Sequence, residues 1–182
     1  EWSTLVHLGD GDPPALPDHA AELRALFVIG CHPVEDANIQ WLDEQRSFLA
    51  TVCPERYAYD FDVFEAHARA KGGVKANLRH AIESFRPHIL HFVGHGRFDG
   101  VDPALELYDA SLGQRLPWTA QELKSWLSPY PPRIVILNAC RTSSQAATAD
   151  APIAVLSSMS AAAIGAGTAC VVAMQHDIAG SA

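Results

Sequence analysis

Two short stretches of the sequence place a reactive side chain directly behind an apolar run. His95 stands between Gly94 and Gly96 at the end of "HILHFVGHG", and Cys140 directly follows "RIVILNA". A cysteine thiolate attacks carbonyl carbons, and a neighbouring imidazole favours the thiolate and can protonate the leaving amine. If the two runs are neighbouring strands, their ends bring together a thiol and an imidazole suited to acyl transfer.

The backbone around these two residues is suited to the same chemistry. Gly94 and Gly96 permit sharp turns and leave a substrate room to approach. The N–H groups of Gly96 and Cys140 are candidates for stabilising the oxyanion of a tetrahedral intermediate. No third catalytic side chain is obvious, so the pattern by itself indicates thiol chemistry without settling the reaction.

Apolar strands and amphipathic helices alternate along the chain and must position these residues. Strands are predicted at residues 2–8, 23–30, 57–63, 88–94, 133–139 and 168–174. Helices are predicted at residues 36–52, 74–85 and 120–127, the last behind a Thr119–Glu122 capping box, and from residue 152 to residue 165 or 167. The turn-rich residues 97–118 are predicted to form a hairpin laid over the edge of the sheet.

Strands that are apolar on both faces and alternate with helices indicate an α/β fold, a mainly parallel sheet covered on both sides. Ligands of such sheets gather outside the carboxyl ends of the strands. One edge of the sheet is therefore expected to hold Cys31–His32, Gly94–Gly96, Cys140–Thr142 and Gln175–Asp177.

Composition excludes several classes of protein. The net charge is -8 and the basic residues are scattered, which argues against nucleic-acid binding. No apolar run approaches the roughly 20 residues that span a membrane, and the N-terminus lacks the pattern of a signal peptide. The four cysteines show no metal-site spacing, so we interpret them as free thiols in a reducing, cytoplasmic compartment.

The motifs "HILHFVGHGRFDG", "LELYD", "RIVILNACRT" and "IGAGTACVVAMQ" resemble, in order and approximate spacing, the CHAT domain, a caspase-like group of bacterial cysteine peptidases related to separase. The resemblance implies a caspase-hemoglobinase-like three-layer α/β/α sandwich and endopeptidase activity on protein or peptide substrates without a cofactor. It also implies that His95 is the general acid/base and that Cys140 is the nucleophile. Attachment to a TPR or other sensor module, in a larger bacterial signalling or defence protein, is frequent in such domains.

The resemblance also gives expectations for domain limits and substrate pocket. Residues 1–22 are expected to be an N-terminal strand and linker, or the end of a preceding element, and residues 23–182 the CHAT domain. Gly180 stands where the family commonly has an acid, so this domain is expected to be incomplete at its C-terminus. The candidate pocket residues, whose acids hint at a basic residue before the scissile bond, are Cys31, Asp36, Asp99, Gln175 and Asp177.

Alternative interpretations of these residues remain open. His91 shares a side of its strand with His95, and with Cys140 the two could ligate zinc, although a core histidine hydrogen-bonded beneath the site is the expected role of His91. Cys31–His32 is a second candidate dyad. A catalytically silent α/β interaction module is the alternative function. A nucleotide-binding role lacks support, because "GCHPVED" replaces a phosphate-binding glycine loop after the first long strand.

Overall fold

The strands of the protein form one mixed sheet in a computed structural model, which describes residues 2–9, 23–32, 59–66, 72–98, 102–140 and 151–176. The strands of this part of the chain are β1 (Trp2–Leu8), β2 (Leu23–Ile29), β3 (Tyr59–Glu65), β4 (Ile89–Phe98), β5 (Pro103–Asp109), β6 (Gln114–Thr119), β7 (Ile134–Cys140) and β8 (Cys170–His176). Its helices are α1 (Val74–Phe85), α2 (Ala120–Leu127) and α3 (Ala151–Gly165).

The main path of the sheet runs in the order β1-β8-β7-β4-β2-β3. The strands from β8 to β3 are parallel to their neighbours, as the alternation of strands and helices predicted. Antiparallel partners are added by β1, which pairs with β8, and by β5, which pairs with both β4 and β6. The α/β prediction is therefore confirmed, and the sheet as a whole is mixed.

The helices pack against one face of the sheet and against one another, with α2 between α1 and α3. The strands contribute alternate residues to this core, including Leu26, Leu90, Phe92 and Leu137, all with no exposed surface. The opposite face carries a smaller cluster of Ile29, Cys31 and Val93. The predicted helix at residues 36–52 lies outside the described residues. No helix in the described part is long and apolar enough to cross a membrane.

The predicted limits of α1 and α2 are confirmed, and their caps have clear causes. α1 ends at Phe85, where Arg86 takes the left-handed conformation with φ 48 before Pro87. At the start of α2, Thr119 Oγ1 accepts the Glu122 N–H at 3.2 Å, and the Glu122 carboxylate accepts the Thr119 N–H at 3.0 Å. This is the predicted capping box. The same carboxylate binds Lys75 Nζ at 2.8 Å and so joins α2 to α1.

The predicted strand at residues 57–63 is formed over its described part, as β3. β3 starts at Tyr59, and Phe64 has no exposed surface, whereas Val63 on the opposite face is partly buried against the smaller cluster. The alternation Tyr57, Tyr59, Phe61, Val63 predicted a single buried face. Phe64 follows the predicted strand and adds a fully buried residue on the face that the helices cover.

The hairpin of β5 and β6 is formed as predicted, and it crosses the carboxyl ends of β4 and β2. Residues Gly96–Phe98 continue β4 and pair with Pro103–Leu105 of β5. β5 then crosses to the end of β2, where the Tyr108 N–H donates to Gly30 O at 3.0 Å. By crossing these strand ends, the hairpin buries Leu105, Leu107 and Trp118 in the core beneath α1 and α3.

A buried carboxylate fastens the hairpin to α1. Asp109, 1% exposed, accepts the Val74 N–H at the start of α1 at 3.1 Å and the Ser111 N–H in the hairpin turn at 2.9 Å. The hydrogen bond from the Ser111 hydroxyl is the largest cause that holds the pKa of Asp109 below its usual value. Because Gly73 supplies no side-chain cap, Asp109 caps α1 from a distant strand.

We expect Asp109→Asn to lower the free energy of unfolding by about 1–3 kcal/mol, because an amide turns a donor toward one of these N–H groups. Chemical denaturation of the two proteins measures the difference. Asp102→Asn is the control, since Asp102 is exposed beside the same hairpin. Equal losses in the two variants would contradict the capping role of Asp109.

Candidate active site

The register between β4 and β7 determines which residues meet at the carboxyl edge of the sheet. The two strands are parallel and pair residue by residue from Ile89↔Ile134 to His95↔Cys140. Leu90 and Phe92 of β4 belong to the buried core, and so do Val135 and Leu137 of β7. By the period of two along a strand, His95 and Cys140 belong to the other set of positions in each strand. His95 and Cys140 therefore occupy facing positions on the same face, which is the face opposite the helices.

The predicted common edge is confirmed for the residues whose backbone is described. At β2, the Gly30 N–H donates to Val93 O at 2.8 Å, which places Cys31–His32 beside the end of β4. On the other side, β7 pairs with β8 through Ala139↔Gln175 and Cys140↔His176. The candidate pocket residues Asp36, Asp99 and Asp177 lie outside the described residues.

The glycines around His95 have a different cause from the one predicted. β4 runs extended through Gly94 and Gly96 to Phe98, so the expectation of sharp turns is wrong. A Cβ at Gly94 would lie 2.8 Å from Cζ of Phe92, and one at Gly96 would lie 3.0 Å from Cγ1 of Val155. An aromatic ring and helix α3 approach the backbone closely at these glycines, so a side chain at either position would require its neighbour to shift.

Gly30, at the end of β2, completes this arrangement. A Cβ there would lie 2.3 Å from the backbone oxygen of Glu106 in β5 and 3.0 Å from Cε2 of Phe92. The absence of a side chain lets β5 cross the strand ends directly above Phe92. The backbone at the end of β2, on the carboxyl edge of the sheet, is thus held between β5 and the main core.

His91 lies in the interior, as predicted. Its ring is 8% exposed and 5.5 Å from the ring of Phe27. Burial lowers the pKa of His91 to about 4, so the side chain is neutral at physiological pH. Its expected hydrogen bond beneath the site stays a prediction.

The side chains of Cys31 and His32 have different neighbours. Cys31 is 5% exposed, packs with Ile29 and Val93, and donates its thiol to Val93 O at 3.8 Å. The half-buried ring of His32 meets the ring of Tyr108 edge-on, with 4.3 Å between centroids. Cys31 therefore lies beneath the site edge, and His32 lies at its rim.

Cys170 begins β8 and so lies at the amino end of that strand, the end opposite Gln175. Among the described residues, no group of three or more His, Cys, Asp or Glu side chains could hold a metal ion.

The sequence matches the CHAT domain family over residues 15–182. The chain belongs to this family. CHAT domains are associated with caspase-like cysteine peptidase function, and the match includes the strands that bear His95 and Cys140. A search of curated proteins gives no significant match.

The sequence interpretation missed the contribution of the hairpin to the rim of this CHAT domain. Glu106, 9% exposed, pairs with Arg115 Nη1 at 3.3 Å on the hairpin face opposite Leu105 and Leu107, the face that also presents Tyr108. The alternation in "LELYD" was the available signal, because it separates Leu105 and Leu107 from Glu106 and Tyr108.

We expect Gly96→Ala to lower the free energy of unfolding by about 1–3 kcal/mol, because the new methyl group overlaps Val155. In the Val155→Ala background the same change should cost clearly less, since the clashing methyl groups are gone. A double-mutant cycle by chemical denaturation measures this coupling. Additive losses would show that Val155 does not fix the backbone of Gly96.

His91 should make the stability of this CHAT domain sensitive to acid. Because the folded-state pKa is about 4 against 6.5, the unfolded chain binds more protons between these values. The free energy of unfolding is therefore highest above pH 6.5. It falls by about 3 kcal/mol as the pH falls toward 4, because the buried ring resists protonation. His91→Gln should remove this part of the pH dependence of the unfolding free energy.

Denaturation curves at several pH values test this expectation. His80→Gln is the control, because His80 is exposed on α1. A His91→Gln protein with the same pH slope as the wild type would contradict it.

Proposed function

We propose that this CHAT domain is a cysteine endopeptidase that cleaves protein substrates with His95 and Cys140 as its catalytic dyad. The observation that carries the proposal is the His95↔Cys140 register pair at the carboxyl ends of adjacent parallel strands. Facing positions on the same face put a thiol and an imidazole within reach of one substrate carbonyl.

The reaction follows from the chemistry of the two side chains. The imidazole of His95 takes the thiol proton of Cys140, and the thiolate sulfur attacks the carbonyl carbon of the scissile bond. The tetrahedral oxyanion collapses as the C–N bond breaks and His95 gives its proton to the leaving amine. Water then attacks the acyl-thioester, His95 accepts a proton from it, and the C–S bond breaks to release the acid and the thiol.

In this proposal the N–H group of Gly96 helps to stabilise the oxyanion. Val93 O accepts the Gly30 N–H and therefore points toward β2. Successive peptide groups of a strand point to alternate sides, so the N–H of Gly96 points to the other side, toward β7. Together with the N–H of Cys140, it forms the oxyanion hole in this proposal.

The complete fold proposed is the caspase-hemoglobinase-like three-layer sandwich. The cluster of Ile29, Cys31 and Val93 on the face away from the described helices supports it, because an apolar face of a sheet needs a cover. The finer pocket proposal assigns Cys31, Asp36, Asp99, Gln175 and Asp177 to a cleft that prefers a basic residue before the scissile bond. Gln175 is the neighbour of Ala139 across the strands, next to the nucleophile.

The setting of the activity is also a proposal. Family association supports a bacterial, cytoplasmic effector. In this proposal a TPR or other sensor module controls the effector by ordering the loops of the site, and the module lies on the same chain or on a partner chain. On this proposal, neither nucleic acid nor membrane is contacted directly.

We expect a thiol-reactive peptide probe to label Cys140 selectively and Cys140→Ala to reduce cleavage to background, a loss of several orders of magnitude. His95→Ala should abolish turnover while leaving the unfolding free energy nearly unchanged. Mass spectrometry of the labelled protein and cleavage profiling of a proteome, with the chain and its regulatory module together, measure these effects.

The controls are Cys31→Ser, Cys53→Ser and Cys170→Ser, which should affect activity only through stability or pocket shape. An active Cys140→Ala preparation, free of contaminating protease, would contradict the dyad. A folded protein with an inert Cys140 and no cleavage would instead favour a silent interaction module.

A further inference from the structure

We propose that the amino edge of the sheet, at the strand ends opposite the dyad, is a docking site for an extended acidic segment of a partner protein. The site consists of Arg24, His88 and Arg133, which we call the amino-edge row. The inference goes beyond the proposed function and does not depend on peptidase activity. A partner bound there leaves the carboxyl edge accessible to substrate.

Three neighbouring strands bring the amino-edge row together on one face of the sheet. The His88 N–H donates to Arg24 O at 2.8 Å, and the Arg133 N–H donates to His88 O at 2.8 Å, so the row crosses β2, β4 and β7 at their amino ends. Each member stands two positions before a fully buried core residue of its strand, and by the period of two it lies on the face that the helices cover. These core residues are Leu26, Leu90 and Val135.

Contacts with the end of α1 fix the guanidinium group of Arg24. Its Nε donates to Phe85 O at 2.9 Å and to Arg86 O at 3.1 Å, where the end of the helix favours a cation. Its Nη2 lies 3.4 Å from Nε2 of His88. The side chain thus turns toward β4 and away from β3, on which Asp60 is its register partner. A guanidinium group held in this way offers its remaining N–H groups to a ligand with little further loss of entropy.

The contacts of His88 indicate that the amino-edge row needs an acceptor. The backbone N–H of Arg24 donates to Nδ1 of His88 at 3.0 Å, so we infer that the neutral ring carries its proton on Nε2. Burial, followed by the charges of Arg24 and Arg133, lowers the pKa of His88 and so keeps the ring neutral. Nε2–H and Nη2 of Arg24 are then two donors 3.4 Å apart. A carboxylate oxygen beside them would accept a hydrogen bond from each.

The charge around the row favours an anionic partner. In the part of the chain that the structure describes, no carboxylate forms an ion pair with Arg24, Arg86 or Arg133, although the whole chain has a net charge of -8. The three members of the row are half-buried, and the exposed Arg86 continues the positive charge at the surface, with its guanidinium carbon 4.1 Å from the centroid of the Tyr130 ring. The row is therefore a local positive surface on an acidic protein.

The dimensions of the row favour an extended acidic peptide over a single small anion. Strands of a sheet lie about 4.8 Å apart, so the row spans about 10 Å from β2 to β7. One phosphate or carboxylate group is too small to bridge strand positions that far apart. An extended peptide places alternate side chains about 6.8 Å apart on one side, so one carboxylate can contact Arg24 and His88 while the next contacts Arg133.

The experiment measures the binding of a fluorescent peptide to the full chain by anisotropy at low salt. The peptide alternates Glu with Gly, and a matched analogue has Gln in place of every Glu. The wild-type protein should bind the Glu peptide roughly tenfold more tightly than the Gln peptide, and added salt should weaken the binding.

A pair of variants assigns the binding to the row. Arg133→Gln should weaken binding of the Glu peptide roughly fivefold, because it removes the cation at one end of the row. Arg79→Gln is the matched control, since it removes the same charge from the exposed surface of α1. It should change the affinity by less than about twofold.

A ligand series on the wild-type protein keeps the test independent of the folding of any variant. Inorganic phosphate and a peptide with a single Glu should compete only weakly with the labelled peptide, because neither spans the row. Labelling Cys140 with a thiol-reactive peptide probe should leave the affinity for the Glu peptide unchanged, because Cys140 lies at the opposite end of β7 from Arg133.

Several outcomes would overturn the inference. Equal affinities for the Glu and Gln peptides would exclude recognition of carboxylates, and equal losses in Arg133→Gln and Arg79→Gln would indicate a general effect of charge. Competition by inorganic phosphate as strong as that by the Glu peptide would indicate a site for a small anion. An oligothymidylate that binds more tightly than the peptide would indicate a nucleic-acid surface. None of these outcomes bears on the dyad, and an inert Cys140 would leave the docking site standing.

Discussion

The pairing of β4 with β7 is the constraint on which the candidate site depends. Parallel strands admit other registers, but a shift by one residue would place Cys140 opposite Gly94 or Gly96 and exchange the two faces of β7. Val135 and Leu137 would then leave the core that they share with Leu90 and Phe92. The register that buries these residues is the one that sets His95 opposite Cys140. Core packing and site geometry are thus determined by the same contact.

Close backbone contacts hold the end of β4 in this position. The crossing of β5 over Gly30, the ring of Phe92 against Gly94, and Val155 of α3 against Gly96 each occupy the space of a missing side chain. A strand end that projects beyond its sheet would otherwise be a flexible loop. Here the hairpin extends the strand, and the edge that receives the substrate in our proposal is built on packed backbone.

Sequence patterns were sufficient to predict the elements that depend on residues close together in the chain. The capping box at Thr119, the apolar stripe of α1 and the apolar runs of β4 and β7 each depend on residues within a few positions of one another. The crossing of β5 was not predictable, because it depends on the fit of Glu106 against Gly30. The same limit applies to Asp109, which caps a helix 35 positions away. Glycines close to a reactive histidine suggested turns, although their cause is packing against elements far along the chain.

The pairing of β1 with β8 has a consequence for how the chain folds. Trp2 pairs with His176, so this contact closes nearly the whole described chain, and loop-closure entropy makes it the costliest pairing of the sheet to form. The segment between β4 and β7, by contrast, contains a hairpin and a capped helix that form from local contacts, which shortens the effective loop. During synthesis, β1 emerges before the other described strands and β8 emerges after them, and Val6 and Leu8 are exposed even in the finished sheet. We therefore expect the strands of the candidate site to assemble before the sheet acquires its final edge.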